Sequence, residues 1–413
     1  MSKRQSSVCK DLQKKPELVA PAGNWSSLSG AVRSGADALY FGVKGLNMRQ
    51  GADNFDVMEM EKIMGFLRES GRKGYLALNV MVYDGEIAKV REILRHAKKA
   101  GIDAVIAWDA AVIRMAREED ITVHLSTQAS VSNFEALRVY NELGASRIVL
   151  ARESSLKDIK SIVRGIKENG IACGIETFVH GAMCLSLSGR CLLSHETFLK
   201  SANRGECLQP CRREYTIKDK DGECEYVLGE DHILSAKDLC TIDFLDELIV
   251  SGVEAFKIEG RNRPPEYVAE ATAVYREGID LFFEGALTVK KKEDMKDRLS
   301  RTFNRGFTSG FYFGRPPDAE GDVPRGYEKT YLGEVIKFYK KIGVAEVSLM
   351  TGDLAEGDKM LITGKKTPAS FLNVKEMEIE HMPVKRVKKG ERAGIKLSFA
   401  VRPGDKVFVW REK

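Results

Sequence analysis

The sequence predicts an α/β protein, a (β/α)8 barrel of the TIM type followed by a small C-terminal β-barrel. Over the first 285 residues, eight short β-type runs alternate with stretches of helical apolar spacing, and Gly-containing turns precede most runs. From residue 331 onward, short strands alternate with tight Gly-Asp turns, which indicates a small β-barrel. Because counting strands does not show closure, a doubly wound open sheet is the competing fold.

Composition and charge limit the class of protein. The 413 residues are 43% hydrophobic and 30% charged, as in soluble globular chains. No apolar run approaches the roughly 18 residues of a membrane span, and the polar start has no apolar signal core. We therefore expect a cytosolic protein with no membrane partner. Residues 331–413 carry 17 Lys and Arg against 11 Asp and Glu, which suits RNA and equally an ordinary solvated surface.

The eight predicted barrel strands are rich in Val, Ile, Leu, Ala and aromatic residues: 17–20, 38–41, 75–80, 104–108, 122–125, 147–150, 172–178 and 255–258. We divide the chain into an N-terminal tail (1–15), the barrel (16–287), a linker with one helix (288–330) and the C-terminal barrel (331–413). A cysteine-rich insertion (181–252) follows the seventh strand and contains a predicted hairpin. Loops that follow barrel strands lie on the catalytic face, so the insertion should cover the barrel mouth.

The cysteines of the insertion indicate metal or redox chemistry, because a cytosolic chain rarely forms disulfides. Their spacing is Cys184-x6-Cys191-x15-Cys207-x3-Cys211, with Cys240 further on. Only Cys207 and Cys211 show the close spacing of a structural zinc site. Wide spacing favours an iron–sulfur cluster held by several loops, while zinc and unligated thiols stay open as alternatives.

Two predicted strands carry candidate catalytic residues. Glu176, Phe178 and His180 alternate on the seventh strand and so share one face, which would bring Glu176 and His180 together for general acid–base work. On the eighth strand, Lys257 and Glu259 share a face, and buried charges of this kind are uncommon unless paired. In both cases a purely structural pair is the competing interpretation.

Further polar residues are expected to bind an acidic substrate. Arg261 follows the eighth strand and suits a carboxylate or phosphate. The remaining members of this predicted substrate-binding set are Asn79 on the third strand, His124 and Gln128 on the fifth, and Arg204 in the insertion. Arg204 could bind phosphate or carboxylate, or it could neutralise thiolate charge.

The run from Glu176 to Ser194, ETFVHGAMCLSLSGRCLLS, closely resembles the signature of peptidase family U32. ELVAPAG at 17–23, SANRGECLQPCRREY at 201–215 and KIEGR at 257–261 are similar to other blocks of that family, so the resemblance spans nearly the whole chain. The family name implies a protease, yet the chain has no H-E-x-x-H motif and no G-x-S-x-G elbow. A protease with Cys184 or Cys191 as nucleophile is one alternative, and a zinc-stapled scaffold protein is another.

The resemblance implies an RNA hydroxylase that carries a 4Fe–4S cluster. One branch of the family forms 5-hydroxyuridine at the tRNA wobble position with prephenate as implied oxygen source, and another hydroxylates a cytidine of 23S rRNA. A third branch assists ubiquinone hydroxylation but lacks the C-terminal barrel, so the basic tail favours RNA. Expected partners are therefore tRNA and a small dicarboxylic acid.

The resemblance also implies residue roles. The cluster ligands are Cys184, Cys191, Cys207 and Cys240, with Cys211 as a possible replacement for Cys207. Strand parity and charge, rather than the resemblance, assign the acid to Arg261 and Lys257 and the handling of protons to Glu176 and His180. Four bases of the tail barrel are candidate phosphate contacts, with a solvated turn as the alternative: Lys385, Arg386, Lys388 and Lys389.

Overall fold

The computed structural model describes residues 14–213, 215–218, 225–228, 237–314, 327–364 and 366–412. Most of the predicted N-terminal tail and the stretch 315–326 of the predicted linker lie outside these ranges, as does the turn of the predicted hairpin.

The first part of the chain forms a closed parallel barrel. Seven barrel strands come first: β1 (Glu17–Ala22), β2 (Ala38–Phe41), β3 (Lys73–Ala77), β4 (Ala104–Ala107), β5 (Val123–Leu125), β6 (Ala145–Val149) and β7 (Gly174–Ala182). Three strands of the insertion follow, β8 (Tyr215–Lys218), β9 (Glu225–Leu228) and β10 (Asp238–Cys240), before the eighth barrel strand, β11 (Ala255–Ile258). Strand β11 pairs in parallel with both β1 and β7, which closes the barrel. The predicted (β/α)8 fold is confirmed, and the open sheet is excluded.

Helices surround the barrel and are bounded by ordinary capping signals. They are α1 (Trp25–Arg33), α2 (Met60–Glu69), α3 (Ile87–Ala100), α4 (Ala110–Glu118), α5 (Phe134–Glu142), α6 (Leu156–Glu168), α7 (Leu193–Phe198), α8 (Leu245–Val250), α9 (Pro265–Phe283) and α10 (Val289–Ser300). Asn24 and Ser155 cap α1 and α6 by accepting hydrogen bonds from first-turn N–H groups. The main hydrophobic core lies between these helices and the strands.

The barrel interior is only partly apolar. A small cluster that includes Tyr40, Tyr75 and Ile106 fills part of it. Glu176 and Lys257 are also buried there, at 1% and 4% exposure. Since charged side chains are almost never buried without a partner, this interior must contain ion pairs.

The insertion lies over the carboxyl ends of the barrel strands. Strand β10 pairs antiparallel with the outer end of β7, and β12 (Phe307–Thr308) adds to β10. Strands β8 and β9 form the predicted hairpin. Backbone bonds from Met81 N to Asn203 O (3.4 Å) and from Gln50 N to Gly205 O (3.0 Å) fasten the insertion to barrel loops.

The C-terminal part is a curled antiparallel sheet with its own apolar core. Its eight strands are β13 (Tyr327–Tyr339), β14 (Val344–Leu349), β16 (Lys359–Thr363), β17 (Ser370–Asn373), β18 (Met377–Ile379), β19 (Met382–Pro383), β21 (Arg392–Lys396) and β22 (Lys406–Glu412). A separate pair joins β15 (Leu354–Ala355) to β20 (Arg386–Val387). The sheet contacts the barrel where Ser26 Oγ donates to Thr367 O (3.1 Å) and where Lys329 pairs with Glu266.

Two surface features of the described residues bear on partners. The four candidate phosphate contacts of the C-terminal part, Lys385, Arg386, Lys388 and Lys389, are all exposed. Arg386 also pairs with Asp353 at 3.2 Å. A search of the described helices finds none with the length and apolar character needed to cross a bilayer.

Candidate functional site

Two adjoining cavities lie at the barrel mouth, and we call them the inner and the outer cavity. The inner cavity has a volume of about 80 Å³. Its wall includes four cations, one carboxylate, three polar side chains and several apolar ones: Arg49, Arg152, Lys257, Arg261; Glu259; Asn79, Ser126, Gln128; Tyr40, Met48, Phe178. Many of these residues directly follow barrel strands, where the catalytic sites of (β/α)8 enzymes lie.

Glu259 links two arginines across this wall. Its Oε1 lies 3.1 Å from Arg49 Nε, and its Oε2 lies 3.3 Å from Arg152 Nη2. Burial alone would raise the pKa of Glu259, but the guanidinium groups of Arg49, Arg152 and Arg261 outweigh it and lower the pKa. The side chain is therefore a carboxylate, and it lines the inner cavity.

Lys257 is held in the cavity wall by a carboxylate beneath it. Its Nζ lies 2.6 Å from Glu176 Oε1, and Arg147 approaches Glu176 Oε2 at 3.5 Å. Burial raises the pKa of Glu176, yet Lys257 and Arg147 more than compensate, so the pKa is lowered. Glu176 itself lines neither cavity. Glu176, predicted to be catalytic, thus lies below the wall as a counter-ion that orients Lys257.

Arg261 reaches the inner cavity from the end of β11. Its Nη2 donates to Asn54 Oδ1 at 2.7 Å and also bonds to Asn47 Oδ1. A Cβ at Gly42 would lie 2.5 Å from Arg261 Nη2, so the close approach requires glycine there. Burial lowers the pKa of Arg261 to about 10, which still leaves it charged at neutral pH. Its Nε has no hydrogen-bond partner among the described residues, as expected of a group that awaits a ligand.

Two other predicted substrate-binding residues line the inner cavity and two do not. Asn79 and Gln128 lie on the wall, with Asn79 Nδ2 3.5 Å from Gln128 Oε1. His124 lies below the wall against the Tyr75 ring (4.7 Å between centroids), and burial lowers its pKa to about 3. Arg204 is directed elsewhere, with Nη1 2.9 Å from Glu86 Oε2. His124 and Arg204, both predicted to bind substrate, thus line neither cavity: the first packs in the barrel, and the second anchors the insertion.

His180, predicted to act beside Glu176, also lies outside both cavities. The register between β7 and β11 shifts after Lys257, so that Phe178 faces Lys257 but His180 faces Ile258. Such a bulge reverses the alternation of side chains. Phe178 consequently lines the inner cavity, whereas the His180 ring stacks on Tyr267 of α9 (5.7 Å) with its pKa lowered to about 3 by burial.

The outer cavity brings four thiols together. It has a volume of about 160 Å³, and its wall includes Cys184, Cys191, Cys207 and Cys211. Arg212 and Arg263 also line it. The two cavities share a wall that includes Arg49, Arg152, Glu259 and Cys184. Cys184 thus borders both the thiol group and the cationic cavity.

Cys240, predicted as a ligand, does not line the outer cavity, and Cys211 does. Strand β10 places Cys240 opposite His180 on the packed side of β7. There the Tyr275 hydroxyl donates to its Sγ at 3.9 Å, and burial raises the thiol pKa to about 11.

The donor set of the outer cavity fits an iron–sulfur cluster. Within the described ranges, no three Cys, His, Asp or Glu side chains converge as ligands of one metal ion would. A cluster takes one thiolate per iron, so four sulfurs spread around a cavity suit it without converging. Burial raises the pKa of Cys184, but hydrogen bonds at Ser186 and Gly189 and the nearby Arg152 guanidinium lower it overall. The lowered pKa favours the ligating thiolate.

Two wall residues, Arg49 and Arg152, were not predicted from the sequence. Cys211, predicted only as a possible replacement for Cys207, lines the outer cavity together with Cys207. Arg152 follows β6 by three residues, and a charge just beyond a barrel strand is a usable signal. Arg49 lies well beyond the end of β2, so only the course of the loop brings it to the wall.

Comparison with known proteins identifies the family of the chain. The model of peptidase family U32 matches residues 23–322. The chain is 40% identical to a collagenase of Porphyromonas gingivalis, over 95% of this chain and 97% of the relative. It is 35% identical to a tRNA hydroxylation protein of Bacillus subtilis (79% and 75% covered) and 33% identical to a 23S rRNA 5-hydroxycytidine synthase of Escherichia coli (86% and 53% covered). The chain belongs to peptidase family U32.

Proposed function

We propose that this protein is an iron–sulfur-dependent RNA hydroxylase that forms 5-hydroxyuridine at the tRNA wobble position, with prephenate as the oxygen-donating acid. The observation that supports it best is the pairing of cavities. A group of four thiols shares a wall with a cavity lined by four cations. A protein that only stored a structural metal would not need the second cavity.

The inner cavity supplies the binding groups for a small dicarboxylic acid. Lys257 and Arg261 provide cationic donors at the wall, and Asn79 and Gln128 add neutral hydrogen-bonding groups. Because these donors are held in a largely buried site, they interact with carboxylates more strongly than they would in water. The chain's own residues would orient the acid and exclude solvent.

Cys184, Cys191, Cys207 and Cys211 would hold a 4Fe–4S cluster in the outer cavity. When bound, the cluster would supply electron-transfer or Lewis-acid chemistry beside the acid. Arg212, on the same wall, would balance the negative charge of the thiolates.

The RNA would approach over the insertion. Residues 184–213 contain five Lys or Arg and two Asp or Glu, so the surface above the cavities is basic. Exposed bases of the C-terminal part, such as Lys388 and Lys389, would add phosphate contacts. Relatives named for tRNA hydroxylation and 23S rRNA hydroxycytidine synthesis support RNA as substrate.

A peptidase is the second candidate, because a relative at 40% identity is named a collagenase. A cysteine nucleophile needs a base within hydrogen-bond reach. Among the described residues, no histidine lines either cavity. The only carboxylate among the wall residues, Glu259, is bound to Arg49 and Arg152. This geometry favours the hydroxylase over the peptidase.

The first experiment measures iron, acid-labile sulfide and zinc in protein purified without oxygen. We expect about four irons and four sulfides per chain. Cys184→Ser and Cys211→Ser should lose the cluster, while Cys240→Ser, the matched control, should keep it. A chain that contains only zinc, or one that cleaves peptides without any metal, contradicts the proposal.

The RNA product is identified by nucleoside mass spectrometry after expression in a host without its own hydroxylases. 5-Hydroxyuridine in tRNA supports the wobble assignment. 5-Hydroxycytidine in 23S rRNA would instead assign the chain to the ribosomal reaction. If RNA from cells that contain the cluster-loaded protein carries neither nucleoside, RNA hydroxylation is refuted.

A further inference from the structure

Glu259 is a carboxylate in the wall of a cavity that should bind a carboxylate. Its presence weakens the binding of any anion, so it needs an explanation. We propose that Glu259 limits the negative charge that the inner cavity accepts, because it repels a bound acid in proportion to the charge of that acid. This inference rests on the proposed function, because it specifies the charge of the acid bound in the same cavity.

The inner cavity is cationic even with Glu259 in its wall. Among the described residues, four cations and one carboxylate, Glu259, line it. Glu176 neutralises one of these cations from below, since it lies 2.6 Å from Lys257. The next cation down, Arg147, has its own carboxylate partner in Glu17 at 2.7 Å. Among these described side chains, four cations and two carboxylates leave a net charge of +2, and a thiolate at Cys184 on the same wall would lower it further. The cavity therefore attracts acids, while Glu259 opposes each negative charge that a ligand adds.

The arginines bound to Glu259 retain capacity for a ligand. Each carboxylate oxygen of Glu259 meets only one guanidinium, at 3.1 Å for Arg49 and 3.3 Å for Arg152. These distances are longer than the roughly 2.7–2.9 Å of a strong charge-assisted hydrogen bond. The side chain of Arg152 is 9% exposed, and its Nε has no partner among the described groups. Glu259 therefore orients both guanidinium groups without saturating them.

Glu259 also positions the two arginines that it binds. Arg49, Arg152 and Glu259 lie on the wall shared by the two cavities, together with Cys184. Arg152 is fixed by a bond from Nη1 to Ala182 O (3.1 Å) and by the ring of Phe178 at 4.0 Å. A ligand carboxylate that binds these arginines is held at the end of the inner cavity nearest the thiols.

Removal of the Glu259 charge should strengthen acid binding, and the gain in affinity should depend on the charge of the acid. Repulsion between Glu259 and a bound anion grows in proportion to the ligand charge. Glu259→Gln should therefore tighten binding, and by more for a dianion than for a monoanion. We expect the Kd of a dicarboxylate to fall at least about tenfold. The Kd of a related monocarboxylate should fall about threefold, because half the charge gives half the energy and so the square root of the factor.

The test is titration calorimetry on the full, cluster-loaded chain near neutral pH, with prephenate as the dicarboxylate probe and phenylpyruvate as the monocarboxylate. The variant is Glu259→Gln, which keeps the size and one acceptor oxygen. Glu153→Gln is the matched control, because Glu153 is a carboxylate at the mouth that lines neither the inner nor the outer cavity. The double variant Arg152→Gln/Glu259→Gln restores the net charge and should return selectivity toward that of the natural chain.

The outcomes separate the two proposals. Tighter binding in Glu259→Gln, larger for prephenate than for phenylpyruvate and absent in Glu153→Gln, supports the charge-selecting role. Unchanged or weaker prephenate binding, or an equal gain for both acids, in a variant with an unaltered melting curve overturns that role and leaves the proposed function intact. If the natural chain binds neither acid, the small acid of the proposed function is itself refuted.

Discussion

The ion pair between Lys257 and Glu176 makes a sharp prediction about the barrel interior. Replacing Lys257 by Met removes the closest cation from a carboxylate that is 1% exposed. Breaking a buried ion pair from one side costs about 3–5 kcal/mol, because the remaining charge stays buried without compensation. Arg147 still lies 3.5 Å from Glu176. We therefore expect a loss at the lower end of this range, about 3 kcal/mol of the free energy of unfolding.

The same change should reverse the sign of the pH dependence. In the natural chain the pKa of Glu176 is lowered, so its contribution to stability is present above the unfolded pKa and is lost in acid. Without Lys257, burial dominates and raises the pKa of Glu176. The folded variant then binds a proton more readily than the unfolded chain, and its stability rises as the pH falls toward the unfolded pKa.

Urea unfolding followed by tryptophan fluorescence at several pH values measures both effects. Trp25 and Trp108 report on the barrel, and Trp410 on the C-terminal sheet. The double variant Glu176→Leu/Lys257→Met leaves no unpaired charge and should be more stable than Lys257→Met alone. A Lys257→Met barrel within about 1 kcal/mol of the natural one, or one that acid destabilises further, would refute the reasoning.

Three other predictions concern the insertion, β7 and the base of the barrel. In Gly205→Ala, the new Cβ would lie 2.0 Å from Asn47 O at a φ of +80°. The insertion should therefore separate from the barrel, which loss of iron and faster proteolysis would show. Gly170→Ala is the control, because Gly170 has open space around it. His180→Phe should retain RNA hydroxylation within about threefold, because His180 is a neutral packing residue; a hundredfold loss in a folded variant would restore its catalytic role. The pKa of Glu17 is lowered to about 2 because Arg147, Lys73 and Tyr75 outweigh burial, so its stabilising effect should disappear as the pH falls from about 4.5 to 2; Glu17→Gln should remove that part of the acid transition.

Much of the architecture was predictable because it depends on local pattern. Alternation of short apolar runs with helical spacing identified all eight barrel strands, each of which contains its expected run in whole or in part. The position of the insertion after β7 placed the cysteines over the mouth, since loops after strands lie on that face. Lys257, Glu259 and Arg261 were recognisable because charged residues on a buried strand or just after it are rarely buried without a partner or a ligand.

Other features were decided only by tertiary structure. Counting alternation assumes an unbroken strand, and the bulge beside Lys257 moves His180 to the outer layer. Cysteine spacing along the chain does not measure distance in space, so it could not show that Cys211 faces the outer cavity while Cys240 is packed behind β7. Sequence by itself thus determined the fold class and the kinds of groups available. Which of them meet depended on register shifts and loop paths, which are set by packing between segments far apart in the chain.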